Sequence, residues 1–400
     1  MARLAAERFP SAVTALVCTA RYHDAGADAV DELAIAIATG ARYLRALVDA
    51  GLDVDAAAAR VAVRMAVGRD TFLELCKLRA LRVCWSKLLL ACGAATHRLE
   101  VHAVCSSRTL AARDPWVNML RVTTQVFAAV LGGADLVTPR AFDEALATRS
   151  PLGQRVARNT ALVLREESGL GRVADPGGGS YYLESVTDAL ARAAWARMRE
   201  IEAEGGMVAA LASRKVQQRI EASWQAQLRR IVTRRQAVLG VSEFANLDEV
   251  LPAPPLGAAP GGGAGLSAHR DAEAFEALRA RADPRQPPPE ALLSTLGPFA
   301  ESRPRAGFAA GFFAAGGIRT RESGEPEGAA IACVCGSDER YAAEAVERVR
   351  ALKAAGCGRV LLAGKPGEQE RALREAGVDG FVFVGCDVVG VLGELLEVAS

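Results

Sequence analysis

Apolar residues along this chain fall into two rhythms, short unbroken runs and longer stretches with a period near 3.6, as expected where buried strands alternate with helices in a parallel α/β protein. Residues 12–20, AVTALVCTA, predict a strand. Val30, Leu33, Ile37, Leu44 and Leu47 keep the spacing of a helix that packs on a sheet, with Asp28 placed to cap it. A second helical unit is expected over 54–93, then a strand over 99–105, a helix over 115–130, a strand over 134–137 and a helix over 142–147.

The stretch 155–184 gives three local instructions. It predicts a helix with Val156, Leu162 and Val163 on one face, stopped by Gly169 and Gly171, then a short β-like run Arg172-Val173-Ala174, then the loop 175–180. Three glycines in that loop allow backbone angles and close approaches that side chains block, which suits either a bound phosphate or cofactor or a plain turn into a helix. Long charged helices are expected over 185–236. The region 251–289 reads as Pro- and Gly-rich linker around one short amphipathic helix, EAFEALRARA. From there the alternation restarts: strands near 292–296, 330–335, 359–363 and 380–384, with helices near 305–315, 341–355, 367–376 and 388–398, predict a small doubly wound domain. The segment RESGEPEGAA before the strand near 330–335 is too short for a full helix.

The ordered string A-R-N-T, E-E-S, V-A-D-P, G-G-S-Y-Y-x-E resembles the end of the barrel domain of the adenosylcobalamin-dependent acyl-CoA mutases, the methylmalonyl-CoA mutase family. Tyr22-His23, Arg60, Lys77-Leu78-Arg79, Asp114-Pro115-Trp116, Phe142-Asp143-Glu144-Ala145 and Glu204-Gly205-Gly206-Met207 extend the resemblance, in order, over most of the chain. It implies the C-terminal part of a (β/α)8 TIM-like barrel over 1–245, a linker over 246–289, and a flavodoxin-like, cobalamin-binding-type domain over 290–400. In the family, Tyr-His closes the fifth barrel strand, so the chain is expected to start halfway round the barrel.

The resemblance also assigns candidate site residues. His23 would polarise an acyl-CoA thioester with Tyr22 beside it, although a His after a strand is by spacing alone more often structural, and the rim here is two residues shorter than in catalytic members. Arg60 matches a coenzyme A-holding arginine, without its serine neighbour. His102 heads a motif whose cavity-facing glutamine is here Val104. In the second domain, Phe299, Glu301 and Pro304 stand where the cobalamin-binding Asp-x-His-x-x-Gly is expected, and no histidine follows His269. Glu301 thus replaces the cobalt ligand. No metal site is expected, and adenosylcobalamin is expected in the complex but not on this chain.

Composition narrows the classes further. Four hundred residues, half of them apolar, allow two to three domains with proper cores. A net charge of +1 makes no electrostatic case for nucleic acid or an anionic membrane. Nine cysteines without paired zinc spacing fit free thiols in a reducing, cytoplasmic setting, and Cys333 and Cys335 are expected on one face of a core strand. There is no apolar run of signal-peptide or membrane-spanning length. The reading that follows is the small, non-catalytic chain of a heterodimeric methylmalonyl-CoA mutase, whose large partner binds adenosylcobalamin and isomerises the acyl-CoA. A self-sufficient mutase of altered specificity would need a cobalt ligand and a complete barrel. A CoA-binding or partner-binding module on the same scaffold fits the losses, but no positive feature points to it.

Overall fold

The computed structural model describes residues 8–9, 12–95, 98–256, 265–323 and 329–398. They form two compact units, one of residues 1–227 with 253–270, the other of 228–252 with 271–400. In the first, β1 (Ala15–Cys18), β2 (Val61–Val67), β3 (Glu100–Cys105) and β4 (Leu136–Thr138) make a parallel sheet in the order β1-β2-β3-β4. The helices are α1 (Ala20–Asp24), α2 (Ala29–Asp49), α3 (Val54–Ala58), α4 (Thr71–Ala91), α5 (Val117–Leu131), α6 (Pro151–Glu166), α7 (Tyr181–Ala203), α8 (Met207–Ala212) and α9 (Lys215–Val232), the last running into the second unit.

One core joins the sheet to α2, α4 and α7. Val61, Val63, Met65 and Val67 of β2 and Val101 and Ala103 of β3 point into it, so the alternate residues Ala62, Arg64, Ala66, His102 and Val104 line the other face. Asp28 does cap α2, accepting from Asp31 N at 2.8 Å. Gly40 lets α2 approach α4 closely, since a Cβ there would lie 2.5 Å from the buried Trp85 ring. Cys76 and Cys84 fix α4 on α7 through Sγ contacts to the carbonyls of Leu183 (3.5 Å) and Ala191 (3.4 Å).

Four local expectations are corrected. Residues 54–93 are not one helical unit: VAVRMAV is the second strand, and its burial on both faces, not helical periodicity, explains its apolar run. Residues 142–147 form turns, because Asn118 Nδ2 binds the Phe142 carbonyl at 2.7 Å and the Asp143 carboxylate binds Ser150. Arg172-Val173-Ala174 is no strand; Val173 is 66% exposed and has no ladder partner. The face of α6 that packs is Gly153, Ala157, Ala161 and Leu164, leaving Leu162 and Val163 partly in solvent.

The second unit contains α10 (Glu273–Ala282), β5 (Glu290–Thr295), α11 (Phe299–Ala315), β6 (Arg319–Glu322), β7 (Ile331–Cys335), α12 (Asp338–Ala354), β8 (Arg359–Ala363), α13 (Glu370–Ala376), β9 (Gly380–Val382) and α14 (Val388–Val398). Its sheet is parallel with the order β6-β5-β7-β8-β9, so the connections reverse direction between β5 and β7. The region 246–289 does not behave as a linker. Arg279 of α10, 3% exposed, binds Glu249, Asp283 and the Asn246 carbonyl, which ties α10 and 246–252 into this unit. Residues 253–256 and 265–270 belong to the first unit, and 257–264 lie outside the described residues, as do 324–328 of RESGEPEGAA.

Candidate functional site

Polar side chains converge at the carboxyl ends of β1, β2 and β3, where parallel α/β sheets carry their chemistry. The turn after β1 opens α1 and brings His23 inward; α2 supplies Glu32, α4 supplies Glu74 and Lys77, and the end of β3 supplies Ser106. His23 Nε2 lies 2.7 Å from Ser106 Oγ and its Nδ1 lies 3.4 Å from Glu32 Oε2. Lys77 Nζ stands 2.7 Å from Glu32 Oε2 and 2.6 Å from Glu74 Oε2, and donates to the Ala66 carbonyl at 2.8 Å. Glu32 Oε1 accepts from Thr19 Oγ1 at 2.8 Å and from Ala66 N at 3.2 Å.

None of this cluster is open to solvent: His23 is 2% exposed, Ser106 1%, Lys77 1% and Glu32 0%. Charges removed from water persist only when paired. Burial alone would push the Glu32 carboxyl up, but the neighbouring Lys77 ammonium, with hydrogen bonds from His23 and Lys77, holds it at about 2. Burial acts on Lys77 in the opposite sense and is outweighed by Glu32 and Glu74, so its ammonium is held above the usual lysine value.

Ser106, His23 and Glu32 occur in the order of a nucleophile, a base and an orienting carboxylate. The surroundings of the trio differ from those of such a triad. Glu32 Oε2 lies closer to Lys77 than to His23, and the Ser106 hydroxyl has no exposed side from which a substrate atom could approach. Ser106 N is itself tied to the Val67 carbonyl and to Gln125 Oε1. The rim above is clamped too: Arg108 Nη1 donates to the His23 carbonyl at 2.7 Å, and His269 N donates to the Asp24 carbonyl at 2.8 Å while its ring stacks on Trp224 at 4.4 Å. Trp224 in turn sits on Gly26 (φ +110), where a Cβ would come within 2.4 Å of it. As it stands, the cluster braces three strand ends against one another.

The other residues expected at the site lie elsewhere. Tyr22 packs half-buried against the first core, and burial pushes its hydroxyl above the usual tyrosine value. Arg60 precedes β2 at the amino end of the sheet, the end opposite His23, and its guanidinium donates to the carbonyls of Phe9 (3.1 Å) and Ala12 (3.0 Å). His102 faces the far side of the sheet in a row with its neighbours: Arg64 Nε donates to His102 Nδ1 at 3.1 Å, and His102 Nε2 meets Thr138 Oγ1 at 2.7 Å. Burial and the Arg64 charge both lower the His102 pKa.

The glycine loop is held in place by contacts from α4 and α7. Arg79 makes a two-pronged contact with Asp175 (2.9 and 3.0 Å) and reaches Glu184 at 2.8 Å and Thr187 at 3.1 Å, while Glu184 accepts from Gly179 N at 3.0 Å. The Lys77-Leu78-Arg79 motif thus has two separate uses, a buried ion pair and a loop clamp. Sequence reading passed over Glu32, Glu74 and Ser106; the signal for Glu74 and Lys77 is their place in the buried stripe with Leu78, Leu81 and Leu88.

In the second unit, ligands of doubly wound sheets bind beyond the carboxyl ends of the strands where the order reverses. Here that crevice is filled. Tyr341, 7% exposed, has its hydroxyl 2.8 Å from the Ala363 carbonyl and 3.1 Å from that of Val334, which share its one proton, and accepts from Gly336 N at 3.1 Å, and Arg305 covers its ring at 4.7 Å. Glu301 pairs with Arg340 at 2.9 Å above Gly297. Cys333 and Cys335 are buried in β7, all nine cysteines are free thiols, and among the described residues no group of three His, Cys, Asp or Glu side chains could hold a metal ion. Among those residues no helix is long and apolar enough to cross a membrane.

Two parallel α/β units in tandem, the first with a polar cluster at its strand ends and the second wound both ways about its sheet, define the class of the protein. Residues 1–283 match the methylmalonyl-CoA mutase family, and the chain belongs to that family. It is 43% identical to the methylmalonyl-CoA mutase small subunit of Streptomyces virginiae, over 99% of this chain and 66% of that protein. It is 37% identical to the small subunit of Propionibacterium freudenreichii subsp. shermanii, over 94% of this chain and 62% of that protein. The methylmalonyl-CoA mutase large subunit of Streptomyces virginiae is 41% identical, but over only 56% of this chain. The chain spans 66% and 62% of the length of the two small subunits it matches.

Proposed function

We propose that this chain is the small subunit of a heterodimeric, adenosylcobalamin-dependent methylmalonyl-CoA mutase and that its large partner carries the interconversion of methylmalonyl-CoA and succinyl-CoA. One observation carries this reading: His23, the group best placed for acyl-CoA chemistry, is buried between Ser106 and Glu32. The second unit supports it, because a crevice filled by Tyr341 and Arg305, with Glu301 in place of an imidazole, does not fit a cobalamin. The small-subunit relatives match nearly the whole chain, whereas the large-subunit relative matches little more than half.

In this reading the four-stranded sheet is the C-terminal part of a (β/α)8 barrel and the second unit is a flavodoxin-like domain that has kept its core and lost its ligand. Leu16 on β1 and Leu136 on β4, 40% and 52% exposed, lie on the two outer strands, where further barrel strands would pair. The protein works in the cytoplasm without nucleic acid or membrane. Co-expression with a large mutase chain containing Asp-x-His-x-x-Gly tests the proposal. A stable two-chain complex is expected, active only while the partner keeps that histidine. Mutase activity from this chain alone, or failure of the two to associate, would rule it out.

A further inference from the structure

A cavity of about 870 Å³ in the second unit takes no part in the reading above, and its size is that of small-molecule sites. Much of its wall is apolar and carries rings. Phe308 of α11 and Phe383 line it, and next to Phe308 the backbone of Gly307 is bare, since a Cβ there would meet nothing within 4 Å. Phe244 lines it too, 83% exposed on a backbone with a φ of 53°, a conformation that bulky side chains seldom adopt. A flat ring entering the cavity would cover apolar surface of this kind.

Charge decides what else such a ligand carries. Five charged side chains line the cavity and each is paired: Arg234 with Glu243, Arg319 with Asp248, and Glu290 with Arg321. Arg235 is exposed, and among the described residues no carboxylate pairs with it. It stands at the edge of the cavity formed by Gly385, where a Cβ would lie 3.7 Å from its Nη2 and 3.8 Å from its Nε. Those two nitrogens are the edge of a guanidinium that grips a carboxylate through two parallel hydrogen bonds, and Gly385 (φ +101) leaves the space before them clear of a side chain. One unpaired guanidinium balances one negative charge.

We propose that this cavity binds a small aromatic carboxylate, its ring against the bare helix backbone at Gly307 and its carboxylate on the Nε–Nη2 edge of Arg235. The proposal rests on the second unit alone, so it stands or falls separately from the subunit reading.

Equilibrium dialysis of 2-naphthoate against the full chain, with the equally shaped but neutral 2-naphthamide alongside, tests it. Naphthoate is expected to bind about fivefold more tightly than naphthamide at low salt, the advantage of one exposed ion pair, and to lose that advantage at about 1 M salt. Arg235→Gln should bring naphthoate down to the level of naphthamide and leave naphthamide unchanged, and as an exposed substitution it should keep the wild-type Tm. Gly307→Leu, which puts a side chain into the cavity, should weaken both ligands by at least about tenfold. If that variant does not fold, Arg235→Gln decides alone. No binding of naphthoate, naphthamide binding as well as naphthoate, an advantage that survives Arg235→Gln, or unchanged binding in a folded Gly307→Leu would overturn the proposal.

Discussion

Lys77 Nζ lies 2.7 Å from Glu32 Oε2 in a place where the lysine side chain is 1% exposed and the glutamate 0%. Three strand ends depend on this contact, because Glu32 also receives Thr19 and Ala66 and stands against His23, which holds Ser106. Lys77→Met would leave two buried carboxylates without their cation. A loss of about 3–5 kcal/mol in urea unfolding is expected. A loss below about 1 kcal/mol would mean that the pair does not brace the fold.

The same pair sets an acid limit on stability. Glu32 is held at about 2 against an ordinary value of 4.5, so its contribution is full above pH 4.5 and lost as pH falls toward 2. Asp31 works in the other sense: burial, with Asp28 beside it, pushes it from 3.8 up to about 6 despite Arg197, so its contribution is full below pH 3.8 and lost as pH rises to 6. Urea midpoints measured from pH 2 to 6 should show Glu32→Gln removing the acid flank below pH 4.5. An acid flank unchanged in that variant would place the titrating group elsewhere.

Arg79→Ala should free the glycine loop. Its four contacts to Asp175, Glu184 and Thr187 are the clamp, and Gly179 keeps only its link to Glu184. Limited proteolysis should then cut within 168–180 faster than in the wild type. Equal rates would show that the glycines, not Arg79, fix the loop.

Much of this was legible from the chain and some was not, for physical reasons. The alternation of strands and helices, the cap at Asp28 and the helix of 388–398 followed from local pattern alone. The strand VAVRMAV did not, because a run buried on both faces lacks the alternation that marks a strand. His23 could be singled out by its place after a strand, but its partner Ser106 lies 83 residues on, and its acid Glu32 sits in the first half of α2, where residues 31–38 are all buried. Tyr341 and Arg305 fill the second crevice through a contact that only the fold creates.

Tyr341→Phe should destabilise the second unit by about 1–3 kcal/mol, because the Gly336 N–H loses its buried acceptor. Calorimetry resolving the unfolding of that unit checks it. A neutral effect would show that another acceptor takes over. In parallel, hydroxocobalamin mixed with the chain should keep its free visible spectrum, and a stable nitrogen-ligated shift abolished by substituting a histidine would contradict the filled crevice.

Whether this chain contributes assembly rather than chemistry is read most directly from the turnover of the two-chain mutase carrying His23→Gln here. With the complex intact by size-exclusion chromatography, kcat should stay within about twofold of the wild-type complex, since a buried brace adds nothing specific to the transition state. A fall on the order of a hundredfold or more with the complex still assembled, the effect of removing a general acid or base, would contradict it and make His23 a working catalytic residue.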